Sequence, residues 1–263
     1  MPSELYSDKI RIVYHHDYQT HYTTASCETP ARVKSIMEFL DGRFPVIQPE
    51  ECTDEDILLC HSDGLLTIEK QMPDRYHIAR LAAGGAITAA HLALEGFTSF
   101  AAIRPPGHHA NPDHNWGFCF FNNMAIAIMK LLSDESINSA TILDIDLHFG
   151  DGTDTIFKSH NNINVLNIQS SNPDDFIKST ESSLKSIDNS DIIAISAGFD
   201  QYEKDWGANL STDDYRKIGV LAGEFARSRC NGRIFTILEG GYYIPDLGIN
   251  VESLLMGIMQ GLS

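Results

Sequence analysis

The sequence predicts an α/β protein, a mostly parallel sheet with helices on both faces. Two observations carry that expectation. Short apolar, β-branched runs recur along the chain: KIRIVY (9–14), SFAAI (99–103), ATILDI (140–145), INVLNI (163–168), DIIAIS (191–196) and RIFTIL (233–238). Nearly continuous apolar character suits strands covered on both faces, whereas a strand with one wet face alternates. Helix-length segments lie between several of these runs, and strand–helix–strand repetition defines the class. RYHIARLAAGGAITAAHLALEG (75–96) is rich in Ala and Leu and ends on Gly96, a residue suited to a helix C-terminus. NNMAIAIMKLLSDES (122–136) reads the same way, as does TDDYRKIGVLAGEFARSR (212–229), with cap-forming residues at Ser211, Thr212 and Asp213.

The 263 residues, 43% hydrophobic, suffice for one sizeable core. No internal repeat or long linker divides the chain, so residues 1–263 are expected to form a single domain. No apolar run is long enough for a transmembrane helix, and the charged start MPSELYSDKIRIVYHHD lacks the pattern of a signal peptide. Five scattered cysteines with no CxxC spacing suggest reduced thiols and a cytoplasmic location. The formal charge of −17 disfavours nucleic acid and anionic membrane as partners. It could favour a cationic substrate, although solubility or adaptation to a salty cytoplasm better accounts for most of the charge.

Function is legible in the segments at the ends of the strands. After SFAAI comes RPPGHHA; after ATIL, DIDLHFGDG; after DIIAIS, AGFD; after RIFTIL, EGGYY. In open α/β sheets ligands bind beyond the carboxyl ends of the strands, so four polar, glycine-rich tips converge on one rim. In DIDLH, strand alternation sends Asp144, Asp146 and His148 to one side. Two carboxylates and an imidazole together are costly unless a cation joins them, and the donor set suits zinc. A lone DxDxH could equally be a solvated loop, and a third ligand from a neighbouring tip, Asp200, distinguishes the two. Asp146, His148 and Asp200 would leave a fourth position open for water, as in catalytic zinc sites.

His108 and His109 sit in a proline-rich turn, where histidines are commonly surface polarity. Here Asp144 and Asp151 are available to orient them, and a carboxylate on one ring nitrogen fixes the tautomer and raises the basicity of the other. His114 reads as loop surface, and so do His15, His16, His21, His61, His77, His91 and His160. In EGGYY, a tyrosine after two glycines either packs over the turn or donates a hydrogen bond to a developing oxyanion.

RPPGHHA, GFCFFNN, DIDLHFGDG, SAGFD and LEGGY, in this order over residues 104–242, resemble the zinc-dependent histone deacetylase and acetylpolyamine amidohydrolase family. The resemblance implies the arginase/deacetylase fold, a three-layer α/β/α domain with about eight strands. It implies a deacetylase that hydrolyses N-acetylated amines, either acetyl-lysine in proteins or acetylated polyamines. One zinc ion per chain would be held by Asp146, His148 and Asp200, iron(II) or cobalt(II) being able to replace it, with potassium near Asp144 and Asp146. It further implies that His109 is the general base and acid, His108 its electrostatic partner, Asp144 and Asp151 their carboxylates, and Tyr242 (rather than Tyr243) the carbonyl-polarising hydroxyl. Gly117 and Phe118 would line the acyl-amine tunnel. The arginase branch of the fold holds two manganese ions with further acids, but Tyr202 stands two residues after Asp200, which favours one metal.

The chain also departs from the family pattern. Phe149 replaces a usual histidine, and the loop after INVLNIQ is only SSNPDD, leaving Phe176 as a weak substitute for the second tunnel wall. The pocket is therefore expected to be shallower, more open, or completed by a second copy in a homo-oligomer. Glu28, in CETPAR, resembles the ExPxR form of the acetylpolyamine amidohydrolases and would receive a cationic chain at the mouth, unless it pairs locally with Arg32. A non-catalytic acyl-amine binding protein on the same fold is the alternative, but it would normally lack a ligand or the tyrosine.

Overall fold

The computed structural model describes residues 8–263; the first seven residues of the charged start, on which the signal-peptide expectation partly rests, lie outside them. The sheet strands are β1 (Ile10–Val13), β2 (Val46–Ile47), β3 (Thr98–Ala101), β4 (Ala140–Asp144), β5 (Ile163–Asn167), β6 (Ile193–Ala197) and β7 (Ile234–Leu238). They form one sheet in the order β2-β1-β3-β7-β6-β4-β5. Every pairing is parallel. The expectation of about eight strands is thus corrected to seven among the described residues. Six are the apolar runs of the sequence. The seventh, β2, is a two-residue edge strand, too short to show a periodicity.

The helices are α1 (Ala31–Leu40), α2 (Asp54–Ile57), α3 (Asp63–Lys70), α4 (Pro73–Leu94), α5 (Asn123–Ser133), α6 (Asp151–Phe157), α7 (Pro173–Lys185), α8 (Thr212–Arg229) and α9 (Ile244–Leu262). They flank the sheet as the outer layers of an α/β/α arrangement. Alanines along α4 are fully buried, which lets this long helix lie close to β1, β3 and β7. Ser211 caps α8 in a reciprocal box with Asp214. No helix among the described residues is long and apolar enough to cross a membrane.

β3, β7, β6 and β4 are adjacent and buried throughout, so their dry faces make the core. Their register positions the chemistry. Ala101 pairs with Ile237, Ser196 with Ile237 and with Asp144, and Ala197 with Leu238. Parallel strands in step end at one edge, so the segments after residues 101, 144, 197 and 238 emerge side by side.

Candidate active site

β4 ends at Asp144, and the chain then turns, so Asp146 and His148 reach the rim through bends rather than strand alternation. Asp146 and Asp200 are buried, and His148 closes over them from the cleft side. One ligand atom from each of Asp146, His148 and Asp200 lies within 4.8 Å of the others. His148 Nδ1 is 3.2 Å from Asp146 Oδ1 and 3.2 Å from Asp200 Oδ2. Backbone amides aim the carboxylates: Gly240 N–H donates to Asp146 Oδ2 at 2.9 Å and Leu147 N–H to Asp200 Oδ1 at 3.1 Å. Asp200 Oδ2 is buried with no hydrogen-bond partner. An orphaned carboxylate oxygen beside a second carboxylate and an imidazole is the chemistry a divalent cation completes. Gly240 lets the chain come this close, since a Cβ there would stand 2.7 Å from both Asp146 Oδ2 and Asp200 Oδ2. Burial and the Asp146 charge push Asp200 up to about 7, and the adjacent carboxylates of Asp146 and Asp200 hold His148 at about 10.

The histidine turn is tied down from two sides. Glu239, at the tip of β7, accepts the backbone N–H of Gly107 at 2.7 Å and of His108 at 3.2 Å. Asn122 caps α5 through Ala125 N–H at 2.9 Å and donates to the carbonyl of Ala110 at 3.2 Å. His108 Nδ1 lies 3.1 Å from Asp144 Oδ2, and His109 Nδ1 lies 2.7 Å from Asp151 Oδ1. Ionised carboxylates only accept, so both Nδ1 atoms carry protons and His109 Nε2 is free to act as an acceptor. The two rings lie 4.1 Å apart but titrate in opposite senses. Burial would favour neutral His108, yet the charges of Asp146 and Asp144 outweigh it and hold this imidazole well above the usual histidine range. Burial and the neighbouring charge on His108 push His109 down to about 4. One imidazole is therefore cationic at neutral pH and the other is a free base.

Tyr242 enters from the β7 tip. Asp205 Oδ2 accepts its backbone N–H at 2.5 Å and that of Tyr243 at 2.6 Å. Burial keeps the Tyr242 hydroxyl well above the usual tyrosine range, against the pull of the Arg32 charge 4.9 Å from its ring centroid. The phenol thus stays a donor. Together with Gly117, Phe118, His108, His109, Asp146 and His148 it lines a cleft of about 140 Å³. A cavity of about this size has room for a group about as large as benzene. Three larger depressions, lined by residues between His21 and Arg75 (about 320 Å³), Glu181 and Arg229 (about 190 Å³) and His15 and Leu81 (about 610 Å³), contain none of the residues of the Asp146, His148, Asp200 cluster.

Three expectations need correction. Glu28 is not at the mouth: it is 1% exposed, bonded to Arg104 at 2.7 and 2.9 Å, Arg32 at 3.1 Å and Tyr22 at 2.7 Å. Burial alone would raise its carboxyl, but the two guanidinium groups hold it below the usual range. This cluster braces the site from behind, because Arg32 also donates to the carbonyls of Gly241 and Glu239. Phe176 is fully buried in α7 and belongs to the core. His61 is not surface polarity either: it is buried, its Nδ1 bonded to Asn111 O and its Nε2 to Asn122 N, both at 2.9 Å.

Sequence reasoning missed the tryptophans. Trp116 and Trp206, the only two in the chain, both line the cleft and are about half exposed. Trp116 lies 3.9 Å from His109, and Trp206 lies 4.2 Å from Tyr242. Trp206 supplies the facing wall that the short loop after β5 does not. The available signal was composition: both tryptophans fall within seven residues of a motif.

Comparison with known proteins agrees with this architecture. The family model for the histone deacetylase domain matches residues 26–176. A histone deacetylase-like amidohydrolase from Pseudomonas aeruginosa is 28% identical over 90% of this chain and 78% of its own length. An acetylpolyamine amidohydrolase from Mycoplana ramosa is 27% identical over 71% of this chain and 64% of its own. The crystal structure of the HDA15 HD domain superposes with a TM-score of 0.83 at 21% identity, covering 97% of this chain and 94% of that one, which speaks to the fold. With a family model spanning more than half of its length, this chain is a member of the histone deacetylase domain family.

Proposed function

We propose that residues 1–263 form a single catalytic domain, a zinc-dependent amidohydrolase that removes acetyl groups from amines. The observation that carries the reading is that Asp146 and His148, grouped with the buried Asp200, line the same cleft as a neutral His109 and a protonated Tyr242. The three residues would hold the ion, which when bound supplies a Lewis acid for the acyl carbonyl and a water acidified to about pKa 7. His109 Nε2 accepts the proton of the attacking water, while Asp151 holds the opposite nitrogen and stabilises the imidazolium that forms. Tyr242 donates to the carbonyl oxygen as negative charge develops there. His108, its Nδ1 3.1 Å from Asp144 Oδ2, packs against the His109 ring on the cleft wall. A proton returned to the leaving nitrogen completes hydrolysis to acetate and amine.

Candidate substrates are acetyl-lysine in proteins and small acetylated polyamines; the acidic surface favours cationic molecules of either kind. The test is hydrolysis of a fluorogenic acetyl-lysine peptide and of N-acetyl-1,4-diaminobutane, with and without chelator. Turnover that chelator abolishes and zinc restores is expected; binding without turnover would leave the non-catalytic alternative. Tyr242→Phe is expected to keep its metal and lose about 100-fold in kcat, the usual effect of removing one oxyanion donor.

A further inference from the structure

Trp116 is 51% exposed on the segment between β3 and α5, where neither core packing nor the proposed chemistry calls for an indole. Both its polar edge and one of its faces are nonetheless engaged. Its Nε1–H donates to Asp151 Oδ2 at 3.1 Å, and Asn111 Nδ2 donates to the same oxygen at 2.7 Å. The other Asp151 oxygen, Oδ1, accepts His109 Nδ1 at 2.7 Å. The Trp116 ring lies 3.9 Å from the His109 ring at 31°, and the His108 ring lies 4.1 Å from it at 40°. Two rings this close to a five-membered ring, both tilted by no more than 40°, cannot share one face of it, so His109 is sandwiched between His108 and Trp116.

We propose that Trp116 is a positioning residue that acts on His109 through Asp151. With Oδ2 held by Trp116 and Asn111, the carboxylate presents Oδ1 in one orientation, and His109 keeps its proton on Nδ1 and its lone pair on Nε2. The indole also covers the ring face that would otherwise meet solvent, so a ring flip that exchanges nitrogen for carbon has no room. Asp151 is about one-third exposed, and without the indole water would compete for it. A residue that only walled the cleft would need an apolar face but no N–H aimed at this oxygen. The inference rests on His109 being the proton acceptor of the proposed reaction.

The test is a double-mutant cycle of Trp116→Phe, which keeps a ring and loses the N–H, with Asp151→Asn, read in kcat and KM separately. Removing a hydrogen bond to a charged group predicts about a tenfold loss in kcat for Trp116→Phe with KM little changed. In the Asp151→Asn background the same change is expected to cost less than about twofold. Equal losses in both backgrounds would show that Trp116 does not act through Asp151. Trp116→Leu removes the covering ring as well and is expected to lose more than Trp116→Phe; it also serves if the phenylalanine variant folds poorly. A readout independent of turnover is ¹⁵N NMR of the His109 ring, expected to show a single Nδ1–H tautomer in the parent and a mixture in both variants. An unchanged His109 ring in folded variants sinks the proposal. Failure of the parent to hydrolyse any acyl-amine overturns the amidohydrolase reading instead, and the NMR comparison still decides the role of Trp116.

Discussion

Trp206 lies flat on Tyr242, their ring centroids 4.2 Å apart and their planes 23° from parallel, while about half of the indole faces solvent. Phe118 meets Tyr242 edge-on, its ring centroid 6.0 Å away. The tyrosine is thus held by aromatic rings whose outer faces remain available to a substrate stem. Such a stack contributes about 0.5–1.5 kcal/mol beyond area burial. Trp206→Ala is therefore expected to lower kcat/KM about 3- to 10-fold and to leave the unfolding midpoint nearly unchanged. Because both tryptophans line the cleft, bound substrate analogue should quench intrinsic fluorescence, and Trp206→Ala should remove a large part of that signal. Undiminished quenching in the variant would place the ligand elsewhere.

Metal affinity should depend steeply on pH. In the metal-free protein His148 is held up at about 10 and Asp200 at about 7, and both must be deprotonated to ligate a cation. The sign comes from the raised folded-state values. The stability that protonated His148 brings to the metal-free fold is present below its unfolded pKa and lost as pH rises through about 10. Cation binding runs the opposite way, gaining as that proton leaves. Between pH 7 and 9 the apparent zinc dissociation constant is expected to fall about tenfold per pH unit, one proton being displaced from His148. Competition titration against a chelator measures it. A flat profile would mean that His148 is not held protonated over this range.

Glu28→Gln should act on stability. Glu28, Arg32 and Arg104 are all at most 1% exposed, and removing the one negative charge leaves two buried guanidinium groups without it. Breaking a buried ion pair in this way costs about 3–5 kcal/mol. Thermal or urea unfolding should show the loss. A variant of unchanged stability but raised KM for cationic substrates alone would return Glu28 to the role of substrate residue.

Gly117→Ala should disturb the proton acceptor directly. Gly117 has φ of 61°, and a Cβ there would stand 2.5 Å from His109 Cδ2. Neither the backbone nor the sandwiched ring can yield cheaply, and an arrangement this strained costs about 1–3 kcal/mol. A fall of about 10-fold or more in kcat, with zinc content unchanged, is expected. Wild-type kcat in this variant would mean that the ring is freer than its contacts with His108 and Trp116 imply.

Each layer of the protein was legible from local pattern to a different degree. Apolar runs marked six strands, because a strand buried on both faces records its environment in its own composition. β2 escaped, since two residues have no period. The motif residues at the strand tips were legible as chemistry, and the sheet register brings them together in the cleft. Glu28, His61 and Phe176 were misread because burial depends on partners far along the chain. Arg104 meets Glu28 from 76 residues away, and Asn122 meets His61 from 61.

By itself the sequence determined the α/β class, the order of strands and helices along the chain, and the acids, imidazoles and tyrosine at the strand ends. Those properties are written in neighbouring residues, where alternation, capping and side-chain chemistry act over a few positions. Only the tertiary structure decided that Glu28 braces the back of the site, and that Trp116 and Trp206 cover His109 and Tyr242. Glu28 and Trp206 meet their partners where loops from different strand tips come together, and Trp116 folds back on His109 within one long loop. The energy of these pairings depends on distances that no local pattern encodes.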